Sequence, residues 1–308
     1  MKYKFQMEHG ENWWGGTSDD GCIAPFNHDT VLSRDFRISS PNQTMPMYIS
    51  NHGRCIWSED PFGVEICDGN FFIDGDRVFL EKFGNTLREA YTTAQNKYFP
   101  PQGQRLPEEF FVTPQYNTWM QYTYNPTQEG VIQYAKDILS NGFAPGILII
   151  DEGWHKPYGT WEFDPVKFPN PKEMISQLHN MGFSIMLWVV PYVRADGVEF
   201  IKKYTKDFNP ESFDTAFLRN EDGKIAITEW WNGFSASFDL TKQCDVNILD
   251  GQLSRLVNEY GVDGFKFDGG CLEHWTGIHT VNGPVDPSIS PAQPNIAWND
   301  FGTRNRFH

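Results

Sequence analysis

Lys266 and Asp268 stand two residues apart in the segment Gly264-Phe-Lys-Phe-Asp-Gly-Gly270. On an extended chain alternate side chains share a face, so Lys266 and Asp268 point one way and Phe265 and Phe267 the other. The phenylalanines can then bury against helices while the ammonium and the carboxylate are left to a site. A cation at that spacing favours the charged form of a carboxylate, the form a nucleophile needs. A buried structural ion pair would use the same two residues. Gly269 and Gly270 leave room beside the carboxylate for a ring.

Three earlier apolar segments end in comparable chemistry. The first closes on Asn117-Thr118-Trp119, the second on Asp151-Glu152-Gly153-Trp154, and the third carries Leu187-Trp188 and runs on to Tyr192-Val193-Arg194. A strand-end aspartate often caps the following helix, but four such endings on one rim read as a site. Asp151 and Glu152 are adjacent and face opposite ways unless the strand is already turning into its loop. Asp151 is the favoured hydroxyl-binding carboxylate and Glu152 the second candidate. Trp119 and Trp188 are candidate walls of a sugar pocket, with core packing the competing reading for Trp188. Trp13-Trp14 precedes Gly15-Gly16, so Trp14 belongs either to a loop reaching the site or to an anchor on its own sheet. His155, in the loop after Trp154, is placed to meet substrate or solvent.

The elements that must hold these residues fall into two groups. Before residue 100, short β-rich runs alternate with turn signals such as Asn51-His-Gly and Asp68-Gly, which predicts an antiparallel domain over 1–100. A helix is expected from Thr86 to Tyr98, and Pro100-Pro101-Gln-Gly marks a linker. Beyond it the rhythm is strand, helix, strand, helix. Strands are expected over Phe110–Trp119, Gly146–Trp154, Phe183–Val193 and Val262–Gly269, with helices over Thr127–Asn141, Pro171–Met181 and Asp245–Tyr260. Strands this apolar, joined by helices, are parallel and covered on both faces. The fold class is therefore α/β with an N-terminal all-β, sandwich-like domain, and 101–308 reads as the N-terminal half of a (β/α)8 barrel.

Composition narrows the function. With 25 Lys and Arg against 40 Asp and Glu, the 308-residue chain carries a formal charge of −15, which argues against nucleic-acid binding. No apolar run is long enough to span a membrane. Met1-Lys-Tyr-Lys-Phe-Gln lacks the apolar core of a signal peptide, which favours the cytoplasm. Five cysteines without paired spacing read as reduced thiols, and Cys271-Leu-Glu-His274 has no second pair to make a metal site. Asn42-Gln43-Thr44 is a glycosylation sequon. There is no P-loop, G-x-G-x-x-G or G-x-S-x-G motif, so nucleotide and serine-hydrolase chemistry lack support. Aromatic residues make up 16% of the chain; their faces suit the apolar faces of sugars, as carboxylates suit the hydroxyls.

Gly264-Phe-Lys-Phe-Asp-Gly-Gly270, Ile149-Ile-Asp-Glu-Gly-Trp154, Met186-Leu-Trp-Val189 and Glu11-Asn-Trp-Trp-Gly-Gly16 together resemble glycoside hydrolase family 31. The similarity is to the branch of bacterial α-galactosidases and the myogenesis-regulating glycosidase. It implies a retaining α-galactosidase or α-glucosidase acting on an α-linked oligosaccharide or glycoside, without a cofactor or metal. Asp268 maps to the nucleophile that forms a glycosyl-aspartate, and Asp151 to a carboxylate that binds sugar hydroxyls. Glu152 departs from the Asp-Asp-Gly-Trp pattern of related α-galactosidases. The family's acid/base aspartate follows a later barrel strand and maps to no residue here. A non-hydrolytic α-sugar-binding protein on the same scaffold is the alternative, and a purely structural α/β protein a third.

A full barrel takes about 250 residues and eight strands, and only four strands are readable before the Pro-, Asn- and Gly-rich tail from Cys271 to His308. The expectation is a truncated barrel with an open core face, prone to self-association.

Overall fold

The computed structural model describes residues 2–37, 43–101, 103, 108–195, 217–275, 280–283, 285–286 and 292–303. The chain divides into two compact units, Met1–Gln104 with Cys271–Ile278, and Arg105–Gly270 with His279–His308.

The first unit carries strands β1 (Lys2–Gln6), β2 (Trp13–Thr17), β3 (Leu32–Asp35), β4 (Thr44–Ser50), β5 (Arg54–Trp57), β6 (Gly63–Cys67), β7 (Asn70–Asp74) and β8 (Phe79–Lys82). They form two antiparallel sheets, ordered β1-β7-β6-β3 and β2-β4-β5-β8. Val64 and Ile66 of β6 and Phe71 and Ile73 of β7 alternate inward and meet Trp13, Tyr48 and Ile56 of the other sheet in one core. Asp68 and Gly69 both take positive φ in the two-residue turn between β6 and β7, as the twist of a tight hairpin requires. The helix Leu87–Tyr98 starts at a capping box of Thr86 and Glu89. Trp13 and Trp14 lie within β2 and not in a loop, because Trp14 pairs with Ile49 of β4. Trp13 is fully buried and Trp14 half-buried. The glycines after them serve the sheet: the ladder shifts register between Gly15 and Gly16, and a Cβ on Gly15 would meet the Met47 carbonyl oxygen at 2.1 Å. Asn42 of the sequon lies outside the described residues.

The second unit continues with β9 (Gln115–Asn117), β10 (Ile147–Ile150), β11 (Ser184–Val189), β12 (Tyr192–Arg194), β13 (Thr228–Trp230), β14 (Gly233–Ser237) and β15 (Gly264–Phe267). Four of these make a parallel sheet in the order β15-β11-β10-β9. Helices Gln128–Ser140 and Pro171–Asn180 connect β9 to β10 and β10 to β11, and Gln243–Arg255 precedes β15. Their ends follow from local chemistry. Thr127 accepts from the Gly130 N–H, Pro171 sits in a first turn, and Gly182 takes φ +91° just past a helix end.

All four expected strands are shorter than read, and two of them break for a local reason. Only Gln115–Asn117 of the Phe110–Trp119 run is a strand. Glu109–Val112 and Trp119–Tyr122 are short helices, and Phe111 and Val112 are exposed and gain nothing from a sheet. The run Phe183–Val193 breaks at Pro191, which has no N–H for a ladder. Its end, β12, joins the antiparallel sheet β12-β14-β13 instead. The tail holds the helix Ala292–Gly302, whose Trp298 and Phe301 pack on Phe267 at ring distances of 5.0 and 6.1 Å. Phe267 therefore has an apolar cover on the face of β15 away from Lys266 and Asp268. All five cysteines are free thiols. No described helix is long and apolar enough to cross a membrane.

Candidate active site

The carboxyl ends of the parallel strands gather Asn117, Asp151, Trp188, Lys266 and Asp268 into one hydrogen-bonded cluster, where sites form in such sheets. Asp268 follows β15 directly, and its N–H donates to the Val189 carbonyl at 2.9 Å, so the β11–β15 ladder fixes its backbone. Its Oδ1 accepts the Gly269 N–H at 2.8 Å. Its Oδ2 accepts the Trp188 Nε1–H at 2.7 Å and lies 3.7 Å from the Lys266 ammonium. The carboxylate stays 37% exposed, so it is oriented and still accessible.

Lys266 sits opposite Trp188 in the ladder and reaches across β11 to the end of β10. There its Nζ donates to Oδ2 of Asp151 at 2.8 Å. Asp151 is nearly fully buried, and its charge is met by three donors: Lys266, Asn117 Nδ2 at 2.7 Å, and the Glu152 N–H at 2.9 Å. Its own N–H donates to Thr118 Oγ1 at 2.9 Å. One ammonium thus links two carboxylates from different strands.

Because β10 stops at Ile150, Asp151 and Glu152 are already in the turn, and both are buried. Oε1 of Glu152 accepts from the Tyr158 hydroxyl and from Nδ2 of Asn232, the residue at the turn between β13 and β14. Burial pushes the Glu152 carboxyl above its ordinary value, and the nearby charges of Asp151 and Asp268 act in the same direction.

Trp188 is 1% exposed. Its ring is enclosed by His155, stacked at 5.9 Å and 9°, and by Tyr158 and Trp161. It offers a sugar no face, and its contribution to the cluster is the N–H on Asp268. Trp119 is half-buried at the start of its short helix, its N–H on Asn117 Oδ1 at 2.7 Å and its ring edge-on to Tyr124 at 5.1 Å. Trp14 belongs to the other unit. The two glycines after Asp268 are close-packed: a Cβ on Gly269 would meet the Tyr192 ring at 2.9 Å, and one on Gly270 the Trp298 ring at 2.6 Å.

Sequence reasoning named Asn117 only as part of a strand ending, without a role, and passed over Tyr158 and Asn232. Asn117 was legible as a strand-end polar residue, whereas nothing in the local pattern marked the hairpin that carries Asn232. Among the described residues the one group spaced for a metal ion is Glu8, Glu11 and His52. Its atoms are already in ion pairs, His52 with Glu8 and Arg54 with Glu11.

Residues 106–303 match the model of the glycosyl hydrolases family 31 TIM-barrel domain. The chain is 29% identical over 208 residues to the myogenesis-regulating glycosidase of Mus musculus, covering 67% of this chain and 28% of that protein. It is 22% identical over 241 residues to the α-xylosidase XylQ of Lactiplantibacillus pentosus, covering 74% and 29% respectively. It thus spans under a third of the length of these relatives. Among solved structures, a family 31 dextranase from Flavobacterium johnsoniae complexed with glucose superposes with a TM-score of 0.75 at 14% identity, over 98% of this chain and 38% of that one. A cycloalternan-degrading enzyme from Trueperella pyogenes in complex with cycloalternan superposes with a TM-score of 0.66 at 18% identity, over 97% and 46%. The parallel sheet, the cluster at its carboxyl edge and the match over most of the second unit place this chain in glycosyl hydrolase family 31.

Proposed function

We propose that the cluster binds the non-reducing sugar of an α-glycoside, and that Asp268 attacks its anomeric carbon in a retaining α-galactosidase or α-glucosidase. The observation that carries this reading is the state of Asp268. Its carboxylate is held at a strand end by an indole N–H and a backbone N–H, beside an ammonium, and remains accessible. Lys266, held by the buried Asp151 and itself partly exposed, supplies a charged partner for sugar hydroxyls. Asp151 meets a hydroxyl only by exchanging one of its present donors for it, and the half-buried ring of Trp119 supplies an apolar wall.

In such a reaction the nucleophile forms a glycosyl ester while a second carboxyl, about 5–5.5 Å away, protonates the leaving oxygen, and water then releases the sugar with its configuration retained. The acid is not assigned to a residue of this chain. The sugars in the structural relatives, glucose and cycloalternan, support a saccharide ligand.

α-Galactosyl and α-glucosyl fluorides test this directly, because fluoride departs with little protonation. The chain should release fluoride from one of them, with the α-anomer of the free sugar formed first by proton NMR. A β-anomer formed first, or fluoride release no faster than with Asp268→Asn, would refute it.

A further inference from the structure

Trp188 gives the Asp268 carboxylate its shortest side-chain bond, and a tryptophan has only one N–H to give. Whether that donor points at the carboxylate depends on the setting of the indole ring. The backbone of Trp188 is fixed by β11, paired with β10 on one side and β15 on the other. Its carbonyl accepts the Trp154 Nε1–H at 2.9 Å. The ring itself has no polar partner but Asp268, so its plane is set by what packs on its faces.

Three aromatic side chains of one loop pack around the indole. His155 lies parallel to the indole at 5.9 Å, while Tyr158 and Trp161 stand at steep angles to it, at 6.2 and 6.3 Å. The loop is stiff. His155 and Phe163 form an antiparallel bridge, Glu162 is paired with both Lys156 and Arg255, and the Trp161 N–H donates to Gln252 at 3.0 Å.

His155 has features that packing alone does not explain. Its Nδ1 meets the Lys156 carbonyl, while its Nε2 is fully enclosed with no hydrogen-bond partner. An unpaired buried acceptor costs stability, and a plain hydrocarbon ring would fill the space without that cost. What the imidazole supplies is a small flat ring tied at one edge to the backbone, so that its own plane cannot rotate.

We propose that His155 is a positioning residue for the nucleophile: tied by Nδ1 to the Lys156 carbonyl and packed parallel to Trp188, it sets the indole plane that aims Nε1–H at Oδ2 of Asp268. The catalytic part of this claim rests on the reading of Asp268 given above. Burial pushes the imidazole down to about 4, so the stacked ring is neutral at ordinary pH.

The test uses two readouts on the full chain. The first is inactivation by 5-fluoro-α-galactosyl and 5-fluoro-α-glucosyl fluoride, in which an Asp268 oxygen bonds to the anomeric carbon as the carbon–fluorine bond breaks and fluoride leaves. His155→Ala should slow the limiting labelling rate about tenfold, with the half-saturating probe concentration unchanged. His155→Phe, which keeps a flat ring but loses the Nδ1 tie, should recover only part of that rate, and His155→Leu, which keeps bulk without a flat face, should recover none. The second readout is the indole N–H resonance of Trp188 in 15N-tryptophan-labelled chain, assigned with Trp188→Phe. It should shift in Asp268→Asn, in His155→Ala and in His155→Leu, and shift by less in His155→Phe, which keeps the flat ring without the tie.

A Trp188 resonance unmoved by His155→Ala or His155→Leu overturns the proposal whatever the labelling shows. So does labelling at the wild-type rate in either folded variant. If the wild-type chain takes no label while the resonance behaves as described, the nucleophile assignment falls and the positioning of Trp188 stands.

Discussion

Replacing Asp151 by alanine removes a carboxylate that meets three donors in a nearly water-free position. The three losses differ in weight. Lys266 is 35% exposed and can be resolvated, so its share is small. The Glu152 N–H is left beside a void, and the half-buried Asn117 amide loses its acceptor. Each neutral donor left unpaired costs about 1–3 kcal/mol, and the half-buried Asn117 amide regains part of its share from water, so the net destabilisation should be about 2–4 kcal/mol. At about 2–4 °C per kcal/mol for a domain of this size, the melting temperature should fall by roughly 5–15 °C. Asp151→Asn keeps one carbonyl oxygen but turns an NH2 toward either Lys266 and Asn117 or the Glu152 N–H. It should cost about half as much. If Asp151 also binds a sugar hydroxyl through a charge-assisted bond, the alanine variant should label with a 5-fluoroglycosyl fluoride at least about tenfold less efficiently. Thermal melts by circular dichroism and inactivation kinetics measure the two effects separately. A melting temperature within about 1 °C of wild type, with labelling efficiency within about twofold, would refute the reasoning and reduce Asp151 to a cap on its own turn.

Three further substitutions probe the same geometry. Lys266→Met takes away the ammonium linking Asp151 and Asp268 and should slow labelling by about tenfold or more; an unchanged rate would leave Lys266 without a role in the reaction. Glu152 has a raised folded-state value, so its contribution to stability is full at low pH and is lost as pH rises through that value. Glu152→Gln should therefore gain stability relative to wild type between pH 4 and pH 8 in urea titrations, and a constant difference across that range would contradict the buried carboxyl. Gly270→Ala forces a Cβ to within 2.6 Å of the Trp298 ring at φ +70° and should destabilise the chain by about 1–3 kcal/mol; a neutral outcome in the same titrations would show that this turn adapts.

The sequence was most legible where one periodicity holds along a segment. Leu-Ile-Ile in β10 and the 3.6-residue pattern of Gln128–Ser140 read correctly because burial on two faces or on one is written directly into residue type. It misled where a short apolar run lacked a ladder to join, as at Phe111 and Val112, and where Pro191 moved β12 to another sheet. Gly269 and Gly270 were read as space for a ligand, whereas the neighbouring rings of Tyr192 and Trp298 come from elements distant in sequence. In the cluster, Lys266 and Asp268 were visible through alternation alone. The link from Lys266 to Asp151 spans 115 positions and depends on β11 lying between their strands, which no local pattern encodes. Asn232 was invisible for the same reason.

The central claim, that Asp268 is the covalent nucleophile, is tested most directly by locating the trapped sugar. The chain is incubated with 5-fluoro-α-galactosyl or 5-fluoro-α-glucosyl fluoride, digested at low pH to preserve the ester, and sequenced by tandem mass spectrometry. The predicted result is a single fluoroglycosyl adduct on Asp268 in the peptide bearing Gly264–Gly270, absent from Asp268→Asn. An adduct on Asp151, Glu152 or any other carboxyl, or labelling that survives in Asp268→Asn, would contradict it.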